Sequence, residues 1–152
     1  MNDIITKFTE IYDTNLWGTG SGMGSLAESN IEYSALLIDF IKNNKIDTIL
    51  DYGCGDWQFS KHIPWGTITK NYLGVDVVES VIKTNQTNFT EYNIKFELVD
   101  SNWIWPNVDL IICKDVLQHL PNDIVKDLIE LSLKKTLICL NVSESSWFRI
   151  FS

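Results

Sequence analysis

The sequence has two histidines and three cysteines, and no two cysteines stand in a C-x-x-C spacing. That leaves little material for a structural metal site. Cys54, Cys113 and Cys139 are odd in number and far apart, which argues against a disulfide framework. Cys113 and Cys139 sit inside apolar runs and read as buried thiols. Basic residues are few: 12 Lys and Arg against 20 Asp and Glu, a formal net charge of -8, with no Lys/Arg cluster. A surface of that sign repels phosphate backbones and disfavours general nucleic-acid binding. No apolar run reaches the roughly 20 residues of a membrane span. Met1-Asn2-Asp3 lacks the basic and apolar regions of a secretory leader, so a reducing, cytoplasmic setting is expected.

What is present is core-forming material. The hydrophobic fraction is 45%, with six tryptophans, which suits a folded globule. A length of 152 residues suggests one domain, residues 1–152. Ile4, Ile5, Phe8, Ile11 and Tyr12 recur at helical spacing, and simple packing on the domain is the expectation for that helix. The stretch from Leu16 to Ser25 carries four glycines, at 18, 20, 22 and 24. It reads as a linker or as a cover over a ligand. Ser25 and Glu28 form an S-x-x-E pattern ahead of a helix through Ile41, with Ile31, Ala35 and Ile38 on its apolar side. Residues 1–43 therefore form helices and a cover loop, and residues 46–142 form the core.

In that core, apolar runs alternate with helical patterns. Strands are expected at Ile46–Leu50, Asn71–Val77, Ile94–Asp100, Val108–Cys113 and Thr136–Val142. Helices are expected at Trp57–Ile63, Glu79–Gln86 and after Pro121. Alternation of this kind requires right-handed crossovers and gives an α/β three-layer domain with a parallel sheet in the order 3-2-1-4-5. Ligands of such sheets bind at the carboxyl ends of strands 1 and 4.

The first strand runs into Asp51-Tyr-Gly-Cys-Gly-Asp56. Two glycines at a strand end let the backbone turn tightly and approach a ligand. Asp51 and Asp56 repel a phosphate but accept hydrogen bonds from an ammonium or from hydroxyls. The G-x-G-x-x-G dinucleotide fingerprint is incomplete, because Gln58 holds the third glycine position. Asp76 follows Gly55 by 21 positions and ends the second strand, where an acid is placed to accept from ribose hydroxyls.

The loop resembles motif I of the class I S-adenosylmethionine-dependent methyltransferases, in which an acid precedes Gly-x-Gly. Asp100-Ser-Asn102 is similar to the segment beside the adenine in that family, and Lys114-Asp-Val-Leu-Gln-His-Leu-Pro121 to its motif IV region. Together with Trp17-Gly and Ser21-Gly-Met-Gly-Ser25, these motifs resemble a narrower group of methyltransferase-like domains. Some of that group accompany glycosyltransferases and sugar-modifying systems. The resemblance implies a Rossmann-like fold, here without the usual strands 6 and 7, since the ten residues after Val142 cannot supply a helix and two strands.

It further implies S-adenosylmethionine as cofactor, contacted by Trp17, Asp51, Gly53, Cys54, Gly55, Asp56, Asp76, Val77, Asp100, Ser101, Asn102 and Lys114. Asp115 and His119 are then the candidates for acceptor chemistry, with His119 equally readable as a cap or packing residue. Lys114 has a second reading, orienting an acidic acceptor. Trp103 has two readings, stacking on a base or packing in the core. The implied reaction is methyl transfer to a small polar acceptor, a sugar or nucleotide-sugar hydroxyl. A second copy or a partner domain is expected to complete the sheet edge. Two rival readings stand beside it: a non-catalytic cofactor-binding module, and a Rossmann domain for NAD or a nucleotide sugar.

Overall fold

The computed structural model describes residues 2–89, 91–132, 136–141 and 147–151, with side chains described through residue 130. One six-stranded sheet has the order β3-β2-β1-β4-β5-β6. The strands are β1 Thr48–Tyr52, β2 Asn71–Asp76, β3 Ile94–Leu98, β4 Leu110–Lys114, β5 Thr136–Asn141 and β6 Trp147–Phe151. The first five pair in parallel, as the alternation of strands and helices requires. The helices are α1 Asn2–Asp13, α2 Ile31–Asn44, α3 Trp65–Ile68, α4 Glu79–Asn88 and α5 Asn122–Ser132. Among the described residues, no helix is long and apolar enough to cross a membrane.

The central strands β1 and β4 are apolar on both faces because both faces are covered, whereas β3 alternates and leaves Lys95 and Glu97 in solvent. Ile49, Leu110 and Ile112 point to a layer formed by Leu37 and Ile41 of α2 and Ile82 of α4. Leu50, Ile111 and Cys113 point the other way, to Leu128 of α5. This is the three-layer α/β fold that the sequence predicts, a Rossmann-like methyltransferase architecture. Register brings Tyr52 opposite Val75 and Asp76 opposite Leu98, so the acids that end β1 and β2 share the carboxyl edge of the sheet.

Several local expectations are corrected. No helix begins at Trp57, which adopts a left-handed φ of 59°. Its buried indole instead donates to Tyr72 Oη at 2.8 Å. The helix forms after Pro64, which stands at the N-cap of α3. The S-x-x-E box does not form either: Ser25 Oγ donates to the Ser21 carbonyl, and α2 starts at Asn30 without a side-chain cap. The Asn30 amide turns back to the Gly24 and Leu26 carbonyls, each at 2.7 Å. The buried face of α2 is Tyr33, Leu37 and Ile41, and Ile31 lies in solvent.

At the other end of the chain, the aromatic and β-branched residues of β6 pair antiparallel with β5. Antiparallel neighbours need only a short connection, so a strand fits where a helix and two strands do not. β6 thus forms the sheet edge. Residues 142–146 and 152 lie outside the described residues, as does the side chain of Cys139.

Candidate cofactor and acceptor site

The chain leaves β1 at Tyr52 and reverses through Gly53 and Gly55, at φ +79° and +54°. This left-handed region costs a side-chain-bearing residue roughly 1–2 kcal/mol. The amides of Gly53 and Cys54 both donate to the Val75 carbonyl, at 2.8 and 3.0 Å. Asp76 closes the turn from β2, accepting from Gly55 N–H and Val78 N–H, both at 3.1 Å. From α4, fully buried Asn85 donates to the Gly55 carbonyl at 2.8 Å. Nothing in the sequence distinguishes Asn85 from the other asparagines around it.

The need for glycine here is internal rather than a matter of ligand approach. A Cβ on Gly53 would overlap Val116, and one on Gly55 would overlap Ser21 Oγ and stand 2.9 Å from Tyr12 Oη. Two other loops lie on the glycine faces. One is the glycine-rich segment, which packs on the turn through Ser21. Ser21 Oγ donates to Asp56 Oδ1 at 2.6 Å, and Asp56 N–H returns a bond to Ser21 Oγ at 3.1 Å. Gln58 bridges Asp56 and the Thr19 carbonyl. Lys114 Nζ holds the Gly24 carbonyl at 2.9 Å.

Beneath the cover, a cavity is bounded by α1 and the carboxyl ends of β1, β2 and β4. Of the residues predicted from sequence, Trp17, Asp51, Gly53, Cys54, Gly55, Asp76, Val77, Lys114 and Asp115 line it. Asp100 and Ser101 line an adjoining cavity that shares Val77 and Val99 with the first, so the two follow one another along the sheet edge. Three expected residues are on neither wall. Asp56 faces the cover loop, which takes up its carboxylate. Asn102 donates its backbone N–H to Asp100 Oδ1 at 2.8 Å. His119 sits with its ring against Phe8 and Trp17, centroids 5.5 and 6.1 Å away. Trp103 is a packing residue, against Tyr52 and Trp105 at 6.1 and 4.9 Å. Sequence reasoning missed Tyr12 and Ser21 on the main wall, and the apolar side of α1 roofs the cavities through Ile4, Phe8 and Ile5.

The electrostatics favour a cation. Burial pushes the Asp51 carboxyl up to about 6, with Asp76 adding and the Tyr72 hydrogen bond and Lys114 opposing. Tyr72 donates to Asp51 at 2.5 Å. Asp76 is also raised, first by burial, against the stabilising amides of Val78 and Gly55. Burial and the same two carboxylates push the Cys54 thiol well up, so it is no nucleophile near neutrality.

The far end of the cavity has a different character. Lys114 and Asp115 form an ion pair at 2.5 Å, their side chains 6% and 24% exposed. Lys114 Nζ also lies 5.5 Å from the centre of the Phe59 ring. Asp115 is held at φ 58°, an unusual conformation beside the cavity. The His119 imidazole is lowered from its ordinary pKa by burial and by Lys7, with Asp115 opposing, and is neutral near pH 7.

A parallel sheet with a glycine turn at its switch point, an acid ending β2 and a covered cavity at the strand ends define the class: a methyltransferase-type Rossmann-like domain. The family described as "Methyltransferase domain" matches residues 50–132, more than half of the chain, and the chain belongs to it. No curated protein sequence matches significantly. Among solved structures, magnesium protoporphyrin IX methyltransferase from Synechocystis PCC 6803 with bound SAM is similar at TM-score 0.66 and 17% identity, over 98% of this chain and 80% of that one. The plantazolicin methyltransferase BpumL, in complex with a pentazolic desmethylPZN analogue and SAH, gives 0.68 at 15% identity, over 93% and 60%. The N-methyltransferase NodS from Bradyrhizobium japonicum WM9, in complex with S-adenosyl-L-homocysteine, gives 0.55 at 18% identity, over 72% and 60%. At these identities the likeness is one of fold. The chain spans 60% of the length of two of these three relatives.

Proposed function

We propose that the protein binds S-adenosylmethionine and transfers its methyl group to a small polar acceptor. The observation that carries this reading is the pairing of two raised carboxylates, buried Asp51 and half-buried Asp76, with the glycine turn that lines the same cavity. A phosphate ligand is repelled there, and a cationic ligand bearing hydroxyls is accommodated. Asp76 keeps lone pairs beyond its two amide bonds for a ribose. Val77, Val99, Asp100 and Ser101 suit an adenine, apolar on its faces and polar at its edge. When bound, this cofactor supplies an activated methyl on a sulfonium.

The residues of the chain then have to place an acceptor and take its proton. Asp115 lines the cavity and is held by Lys114. Asp115 is the base in this reading and Lys114 orients the acceptor, while His119, on neither wall, packs against Phe8 and Trp17. For the acceptor itself, the motif resemblance favours a sugar hydroxyl, and the part-exposed ring of Trp17 at the cavity offers a flat apolar surface to a sugar face.

Calorimetry with S-adenosylhomocysteine and with NAD tests the cofactor, and binding of NAD alone overturns it. Transfer of labelled methyl to a panel of nucleotide sugars, glycosides and amines tests the acceptor. Labelling confined to amines overturns the hydroxyl reading.

A further inference from the structure

The hydroxyl of Tyr12, on α1, lies 2.6 Å from Ser21 Oγ, and geometry alone leaves either atom as donor. Counting protons decides it. Ser21 has one hydroxyl hydrogen, and its contact with Asp56 Oδ1 at 2.6 Å requires it, because a carboxylate has none to give. Asp56 also accepts from Ser21 N–H and from the Gln58 amide, at 3.3 and 2.7 Å. The hydrogen between Tyr12 and Ser21 therefore belongs to Tyr12. Burial and the nearby Asp76 push the Tyr12 phenol well above its ordinary pKa, so it keeps that hydrogen throughout the neutral range.

Ser21 Oγ is then saturated, donating once and accepting from Tyr12 and from Asp56 N–H at 3.1 Å. Tyr12 Oη has given up its only hydrogen and can offer a cavity ligand nothing but lone pairs. It does so over the Gly55 turn, since a Cβ on Gly55 would stand 2.9 Å from it, and in the same cavity that Asp51 and Asp76 line.

We infer that Tyr12 is a cofactor-selecting residue whose phenolic oxygen accepts a hydrogen bond from the ammonium of the amino-acid arm of S-adenosylmethionine. The relay from Asp56 through Ser21 fixes it as an acceptor, so it discriminates against groups that need a donor, a carboxylate included. The same hydroxyl joins α1 to the cover loop, so ammonium recognition and loop position share one atom. This inference rests on the proposed function.

The test is calorimetric, with the full chain and three probes. S-Adenosylhomocysteine carries ammonium and carboxylate, its decarboxylated analogue carries the ammonium alone, and methylthioadenosine carries neither. Tyr12→Phe should weaken the first two by roughly tenfold to a hundredfold, the scale of a hydrogen bond to a charged group, and leave methylthioadenosine unchanged. Retained methylthioadenosine binding also shows that the variant is folded. Ser21→Ala breaks the same link to the cover loop but leaves a phenol oxygen that still accepts, so it should not reproduce the loss confined to the two ammonium-bearing probes.

The inference is overturned if Tyr12→Phe weakens all three equally, if its loss requires the carboxylate, or if Ser21→Ala shows the same ammonium selectivity. Wild-type protein that binds none of the probes overturns the proposed function and this inference with it. A selective failure in Tyr12→Phe alone leaves the proposed function standing.

Discussion

The buried carboxyl of Asp51 makes stability fall as pH rises through the weakly acidic range. It is 6% exposed, and burial raises its pKa from 3.8 to about 6. A carboxyl with a raised native pKa holds its proton more tightly folded than unfolded. Its favourable contribution is therefore complete below pH 3.8 and is lost as pH climbs through about 6. Two pKa units at about 1.4 kcal/mol each give a loss on the order of 3 kcal/mol from this group. Asp51→Asn removes the titration while keeping an oxygen to accept from the Tyr72 hydroxyl. Urea denaturation from pH 4 to 7.5, followed by tryptophan fluorescence, compares the two proteins. The wild type should lose about 2.5 kcal/mol relative to Asp51→Asn across that range, with most of the change below pH 6.5. A bound cationic ligand should reverse the trend, because the ionised form attracts it, and S-adenosylhomocysteine affinity should rise more steeply over the same interval in the wild type than in Asp51→Asn, which keeps only Asp76. Parallel stability curves for the two proteins would show that the carboxyl is hydrated in solution and would refute the reasoning.

Three further outcomes are expected. Asp115→Ala strips the partner from a Lys114 side chain that is 6% exposed. An unpaired buried charge should cost about 3 kcal/mol of unfolding free energy, and a loss below about 0.5 kcal/mol would mean that Lys114 swings into water. Gly18→Ala and Gly20→Ala both place a side chain at positive φ, but a Cβ on Gly18 meets open space while one on Gly20 runs into the Asp56 carboxylate. Gly18→Ala should therefore cost roughly 1 kcal/mol and Gly20→Ala distinctly more by thermal denaturation, and equal costs would dissolve the Ser21–Asp56 link in solution. Asp76→Ala should weaken S-adenosylhomocysteine at least tenfold by calorimetry. An unchanged dissociation constant would reduce Asp76 to a brace for Gly55 and Val78.

The sequence by itself determined the order of elements and the edge of the sheet that carries the site. Strands buried on both faces read as unbroken apolar runs, glycine and an acid mark the end of β1, and the handedness of crossovers leaves one arrangement. Those signals are local, or follow from a rule of topology, and so they survive in a single chain read from end to end. Partner choice is a different matter. Asp56 and Ser21 are 35 residues apart, and Lys114 and Gly24 are 90 apart. No periodicity records that these meet, so Asp56 read as a ligand residue when its carboxylate holds the cover loop. The same limit hid Asn85, whose burial under Gly55 depends on how α4 crosses the turn, and Tyr12, whose place on α1 said only that it was on an apolar side. Trp57 shows the reverse conflict: a bond from its indole to Tyr72 and burial among aromatic rings outweigh the helix its neighbours suggest. Backbone periodicity fixes which face of an element is covered. The direction of each hydrogen bond in the site waits on the folded chain, because a donor is assigned only when every neighbour's proton has been counted.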